Sequence, residues 1–177
     1  MEVKRKIYIE LGAHNGSSAK SFIDKNPDFK SYLFEPFVDC KTEGIVKKVA
    51  ASTYDGTCKF YLGKTDVSGS TRSDKVKHMS DEPPIEVPCI NFSNWLRQNF
   101  SIEDYIVLNM DIEGAEYDVL PHLIQTNAID YINELGVEWH GNAKIKDLSL
   151  IMLESLKNKV KARVPKYTEL NKNTYNL

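Results

Sequence analysis

The stretch Lys6-Ile-Tyr-Ile-Glu-Leu-Gly12, followed by Ala13-His-Asn-Gly16 and Ser17-Ser-Ala-Lys-Ser-Phe-Ile23, decides the fold. Residues 6–11 form an apolar, β-branched and aromatic run that stops at a glycine, which reads as a strand. Small polar residues then open a helix over residues 17–23. The pattern begins again at Tyr32-Leu-Phe34, which ends at Glu35-Pro36 because proline cannot continue a strand ladder. Strand, turn, helix, strand implies that the two strands lie parallel.

Outward from this unit, residues 46–51 read as a third strand. The Asp55-Gly56 dipeptide reads as the hairpin turn that sets it antiparallel to residues 58–62. Residues 63–84 are polar, with little periodicity, and form a long loop of the kind that often serves as a lid. Order returns at residues 85–90, before an amphipathic helical stretch around Trp95-Leu96. Residues 105–110 are an apolar strand running into Asp111, and residues 115–124 a helix. Residues 132–137 repeat the strand and stop at Glu138-Trp-His140; residues 148–160 are a further helix, and the tail from Arg163 adds one or two edge strands. The expectation is a single α/β domain over residues 1–177, with an open, mostly parallel sheet and helices on both faces.

A formal net charge of -2 provides no global basic field to draw the chain to nucleic acid or anionic lipid. No apolar signal-peptide core and no long apolar span is present, so no membrane contact and a cytoplasmic location are expected. The three cysteines, Cys40, Cys58 and Cys89, are odd in number and outside any CxxC pattern, and read as free thiols. From Gly141 onward eight Lys or Arg face three Asp or Glu, which reads as a solvated helix face. An exposed apolar side of the 148–160 helix would favour a homodimer.

Every informative polar cluster falls at a strand end: residues 10–16, Glu35, residues 111–116 and residues 138–140. In an open parallel sheet these ends share the rim where ligands bind. Gly12 and Gly16 bracket Ala13, His14 and Asn15 in a turn whose backbone N–H groups can approach a ligand closely. The turn lacks the GxGxxG of a dinucleotide binder, which weighs against a nicotinamide or flavin enzyme. Glu35, at the next strand end, can accept hydrogen bonds from both hydroxyls of a ribose. A nucleoside-type ligand fits.

Tyr8-Ile-Glu-Leu-Gly-Ala-His-Asn-Gly16, Phe34-Glu-Pro36, the turn at residues 51–56 and, above all, Asp111-Ile-Glu-Gly-Ala-Glu116 resemble the FkbM-type methyltransferases, over residues 7–140. The resemblance implies a class I Rossmann-like methyltransferase fold and S-adenosylmethionine as cofactor. It also implies O-methylation of a hydroxyl on a small-molecule or glycan acceptor. It further implies that Glu10 lies near the methionine part of the cofactor, that Gly12 and Gly16 lie under it with Ala13, His14 and Asn15 in the same turn, and that Glu35, beside Pro36, holds the ribose. Ala51 would lie near the adenine and Asp111 near the methyl end. Ser93 is a departure, standing where the family more often carries an aspartate.

Methyl transfer from a sulfonium is an in-line displacement, so the acceptor must be aligned and a hydroxyl must lose its proton. Asp111, Glu113, Glu138 and His140 are the candidates, with His140 or Asp111 as general base. Asp111, Glu138 and His140 are also hard ligands for a divalent metal, as in catechol O-methyltransferases, but they come from separate strands without a compact ligand motif, and no metal is expected. Glu113 and Glu116 can alternatively stabilise the start of the following helix. Trp139 either stacks on a ligand ring or closes the core. His78 and His122 read as surface or packing residues. With substrate recognition limited to the 63–84 loop and the tail, a non-catalytic cofactor-binding module or regulatory subunit is the competing reading.

Overall fold

In a computed structural model, which describes residues 4–141, 145 and 149–171, the first strand, β1 (Lys6–Leu11), lies at the centre of a six-stranded sheet. Strands are numbered in chain order. On one side of β1 lie β2 (Lys30–Phe34) and then β3 (Ile45–Lys47); on the other lie β7 (Tyr105–Met110), β8 (Glu134–Val137) and β9 (Lys166–Glu169). All five pairings are parallel. β4 (Ala50–Ser52), β5 (Gly56–Phe60) and β6 (Ile85–Asn91) form a separate small sheet in the order β4, β6, β5.

Helices cover both faces of the large sheet, as its apolar central strand requires. Helix α1 (Ser17–Lys25) packs Ala19 and Phe22 onto Tyr8, Leu33 and Val107, with the Phe22 ring stacked 4.0 Å from that of Tyr8. Helices α2 (Phe92–Asn99), α3 (Glu116–Gln125) and α4 (Leu150–Lys161) cover the opposite face over Ile7, Ile9, Leu11, Ile106, Leu108 and Met110. Ile7, Tyr8, Ile9 and Leu11 are all at most 1% exposed. At roughly 1.5–3 kcal/mol per fully buried large apolar side chain, this one strand is a main source of folding free energy. The result is a Rossmann-like α/β fold, as the alternation of elements implies.

Two expectations need correction. Residues 46–51 are not one strand: β3 and β4 belong to different sheets, separated where the Val49 N–H turns back onto the Lys47 carbonyl at 2.8 Å. Nor does Asp55-Gly56 join a hairpin, because β4 and β5 do not pair and β6 lies between them, parallel to β4 and antiparallel to β5. The end of β6 occupies the turn: the Asn91 N–H donates to Asp55 Oδ1 at 2.9 Å and the Asn91 side-chain amide to the Thr53 carbonyl at 2.9 Å. A local turn preference thus yields to a strand of long sequence separation.

The 63–84 segment carries no regular element, only isolated bridges such as Tyr61 to Ser70 and Lys75 to Ile145. The tail contributes one strand, β9. Residue 148, the expected start of the fourth helix, lies outside the described residues; α4 begins at Leu150, where the Ser149 hydroxyl accepts the Met152 N–H at 3.1 Å. Leu150, Ile151 and Met152 are exposed. No described helix is long and apolar enough to cross a membrane.

Candidate functional site

Strand order reverses between β1 and β7, and at their carboxyl ends a cleft of about 460 Å³ opens, within the usual range for small-molecule sites. Its floor is the turn after β1. Gly12 has φ +80°, and a Cβ there would sit 1.8 Å from the Asp111 carbonyl oxygen, so the crossing of the two strand ends tolerates no side chain. His14 also has positive φ, at 50°, and its Nε2 lies 3.3 Å from Asp66 Oδ2 of the 63–84 loop.

Glu35, at the end of β2, ties the floor to the wall. Its Oε2 accepts the His14 N–H at 3.0 Å, and its Oε1 accepts those of Phe37 and Val38 at 2.8 and 3.0 Å. Glu10, by contrast, is a carboxylate in a central strand, 2% exposed, and its Oε2 has no hydrogen-bond partner. Burial pushes its pKa up to about 7, against the opposing pull of Ser18 and Tyr8, and nearby Asp111 adds to the rise. Such a group is set to receive a cationic partner in the cleft.

The turn after β7 is built on two successive left-handed residues, Glu113 at φ 54° and Gly114 at 106°. Glu116 clasps it: Oε2 accepts the Gly114 N–H at 2.8 Å, while Oε1 accepts the His140 N–H at 2.8 Å and faces His140 Nδ1 at 3.0 Å. Glu116 and His140 are both fully buried. The other ring nitrogen, Nε2, has no well-aligned hydrogen bond, and lies 3.3 Å from Glu113 Oε2, 3.6 Å from Asp111 Oδ1 and 3.9 Å from Glu138 Oε1. Burial alone lowers the His140 pKa, but Glu113 and Glu116 outweigh it and bring it up to about 10. Burial likewise raises Glu113, yet His140 and Lys75 hold it down at about 2.

Lys75 reaches in from the 63–84 loop with a fully buried side chain, donating to the Ser68 carbonyl at 2.6 Å and pairing with Glu113 Oε2. The same loop is fastened by Arg72, which bridges Asp74 and Asp118, and by Ser70, whose hydroxyl donates to the Glu113 carbonyl at 2.8 Å. Asp66, Val67, Gly69 and Thr71 complete the cleft wall.

Of the residues singled out in the sequence, Glu10, Gly12, Ala13, His14, Glu35, Pro36, Ala51, Asp111 and Glu113 line the cleft. Asn15 and Gly16 lie outside the lining: Asn15 Oδ1 accepts the Ser17 N–H at 3.0 Å, and a Cβ on Gly16 would meet Thr42 and Cys40. Glu138 and His140 also fall outside it, behind Asp111 and Glu113. Trp139 packs against the core, with its Nε1 donating to the Tyr167 hydroxyl at 2.6 Å. Ser93 is buried and bonds His122 Nδ1 at 2.9 Å, giving His122 a packing role. Sequence reasoning missed Lys75, which carries no local signal in a polar loop. It left Glu116 undecided between helix start and site, although its helical spacing to Val119, Leu120 and Leu123 on the buried face was a usable sign.

The sequence matches the family described as methyltransferase FkbM domain over residues 10–168. A curated relative, 2-O-methyltransferase NoeI of Sinorhizobium fredii (strain NBRC 101917 / NGR234), is 26% identical over 143 residues, 68% of this chain. The chain spans 58% of that relative's length. No solved structure matches significantly.

Proposed function

Because this chain belongs to the FkbM methyltransferase family, we propose that it methylates a hydroxyl of a small-molecule or glycan acceptor with S-adenosylmethionine as donor. The observation that carries this reading is the pairing, in one cleft, of the unpartnered buried Glu10 Oε2 with Glu35 at the neighbouring strand end. A zwitterionic ligand with a ribose asks for these two carboxylates: Glu10 for the ammonium, Glu35 for the ribose hydroxyls, with Gly12 allowing close approach between them. Pro36 and Ala51 then flank the adenine. The similarity to a protein named as a 2-O-methyltransferase supports an oxygen acceptor.

When bound, the cofactor supplies a sulfonium methyl whose C–S bond breaks as the new C–O bond forms, leaving S-adenosylhomocysteine. The chain has to position the acceptor and take its proton. Asp111 lines the cleft and is the group that can reach a bound hydroxyl. His140 is buried behind it and, held at about 10, is already protonated at neutral pH. Its role in this reading is to stabilise the charge of Asp111 and Glu113.

Calorimetry with S-adenosylhomocysteine tests the reading on the wild type, on Glu35→Ala, and on Glu10→Gln, which keeps the side-chain shape. Binding weakened in both variants supports it. A wild type that binds no S-adenosylhomocysteine overturns it and leaves a non-catalytic module as the better account. Acceptor screening over hydroxylated small molecules and glycans, read as methyl incorporation, follows a positive result.

A further inference from the structure

Behind the cleft, the fold gathers a set of donor atoms that the methyl-transfer reading does not fully use. Asp111, Glu113 and His140 each offer one ligand atom, and these three atoms all lie within 4.8 Å of one another. We propose that these three atoms form a binding site for one divalent cation of the hard, oxygen-preferring class, Mg²⁺ or Mn²⁺.

The first argument is geometric. Octahedral coordination at about 2.1 Å separates adjacent ligand atoms by about 3 Å and opposite ones by about 4.2 Å. The distances from His140 Nε2 to Glu113 Oε2 and Asp111 Oδ1, 3.3 and 3.6 Å, fall in that interval. They are slightly long for adjacent ligands, so a cation requires only small side-chain adjustments.

The second argument is the orientation of the imidazole. His140 is fully buried, and its Nδ1 faces a Glu116 oxygen that also accepts the His140 main-chain N–H. That keeps the Nδ1 proton directed at Glu116, so a cation that displaces the proton of Nε2, which has no aligned partner, meets a lone pair aimed at the carboxylates of Asp111 and Glu113. A carboxylate behind one ring nitrogen and a cation before the other is the usual way a protein orients a metal-binding histidine.

The third argument is charge. Four carboxylates, Asp111, Glu113, Glu116 and Glu138, surround one imidazole, and Lys75 pairs with Glu113. A cation that binds His140 Nε2 takes the place of the proton on that nitrogen. A divalent ion in place of that proton adds one positive charge among the carboxylates, and Lys75 keeps its bond to the Ser68 carbonyl.

The site does not depend on the identity of the methyl donor. Asp111 lies on both the cleft and the proposed site, so the cation would stand where it can polarise an acceptor hydroxyl, with the second Asp111 oxygen left to receive the proton.

The test needs neither cofactor nor acceptor. Mn²⁺ titrated into the wild-type protein, with free Mn²⁺ followed by electron paramagnetic resonance, should show one saturable site that Mg²⁺ displaces. Glu113→Gln and His140→Gln should weaken it at least tenfold, Glu116→Gln roughly 10–100-fold through the lost orientation of the ring, and the exposed Glu86→Gln not at all. If variants fail to fold, the wild type still decides: substoichiometric Mn²⁺ should broaden the ring proton resonances of His140 before and more strongly than those of His14, His78 and His122. An absent saturable site, affinity indifferent to residues 113 and 140, or broadening that spares His140 overturns the proposal. Any of these results leaves the S-adenosylhomocysteine measurement untouched, so the two readings fail separately.

Discussion

Glu116 holds His140 by two hydrogen bonds to one carboxylate oxygen, 2.8 Å from the main-chain nitrogen and 3.0 Å from Nδ1, and neither residue is exposed to solvent. The other oxygen holds the Gly114 N–H, so a single side chain joins the turn after β7 to the end of β8. Removing its charge leaves buried donors short of an acceptor. Hydrogen bonds to a charged group contribute about 1.5–3 kcal/mol each. Glu116→Gln should therefore lower the thermal midpoint by several degrees, read by circular dichroism; an unchanged midpoint would refute the clasp.

Gly12 stands where the ends of β1 and β7 cross. With a Cβ placed 1.8 Å from the Asp111 carbonyl oxygen, Gly12→Ala must move backbone, not merely a flexible side chain. The variant should be severely destabilised or, where it folds, should lose S-adenosylhomocysteine binding by calorimetry. A well-folded Gly12→Ala protein with wild-type affinity is incompatible with this geometry.

Glu10 has its pKa raised to about 7 by burial, against about 4.5 in the unfolded chain. The folded state therefore binds the proton more tightly. This contribution to stability is fully present below pH 4.5, declines as pH rises, and is lost above 7. A shift of this size corresponds to about 3 kcal/mol across the window. Denaturant midpoints of Glu10→Gln should consequently vary less between pH 5 and 8 than those of the wild type. Parallel pH profiles for the two proteins would remove Glu10 as the source.

Lys75 fixes the 63–84 loop to Glu113 with a fully buried side chain. Breaking a buried pair by deleting one partner costs about 3–5 kcal/mol. In Lys75→Met the loop should open: amide exchange over residues 66–72 should speed up at least tenfold and limited proteolysis should cut there first, while the strands of the large sheet stay protected. Equal protection in both proteins would show that Arg72 and Ser70 alone hold the loop.

How much of this was legible in the sequence differs by element. The strand-turn-helix reading of residues 6–23, the strand at residues 105–110 and the helix after it follow from local periodicity and turn chemistry, and the structure places them within two residues. The rim of functional groups was legible too, because the parallel direction of β1, β2, β7 and β8 brings their carboxyl ends to one edge. The pairing of β4 and β5 with β6 was not. Asp55-Gly56 signals a tight turn in isolation, but residues 89–91, more than 30 positions away, supply the competing partner.

By itself, then, the sequence determined the order of strands and helices, the need for glycine after β1, and the family, since each depends on residues within a turn or two of one another. Only the tertiary structure decided which carboxylates meet which cations. Glu116 finds His140 across 24 positions and Lys75 finds Glu113 across 38. In a short-range pattern each of these is one polar residue among many. Their significance arises when the sheet and the 63–84 loop remove water from around them, because burial makes an unpaired charge costly and so selects the partner it must have.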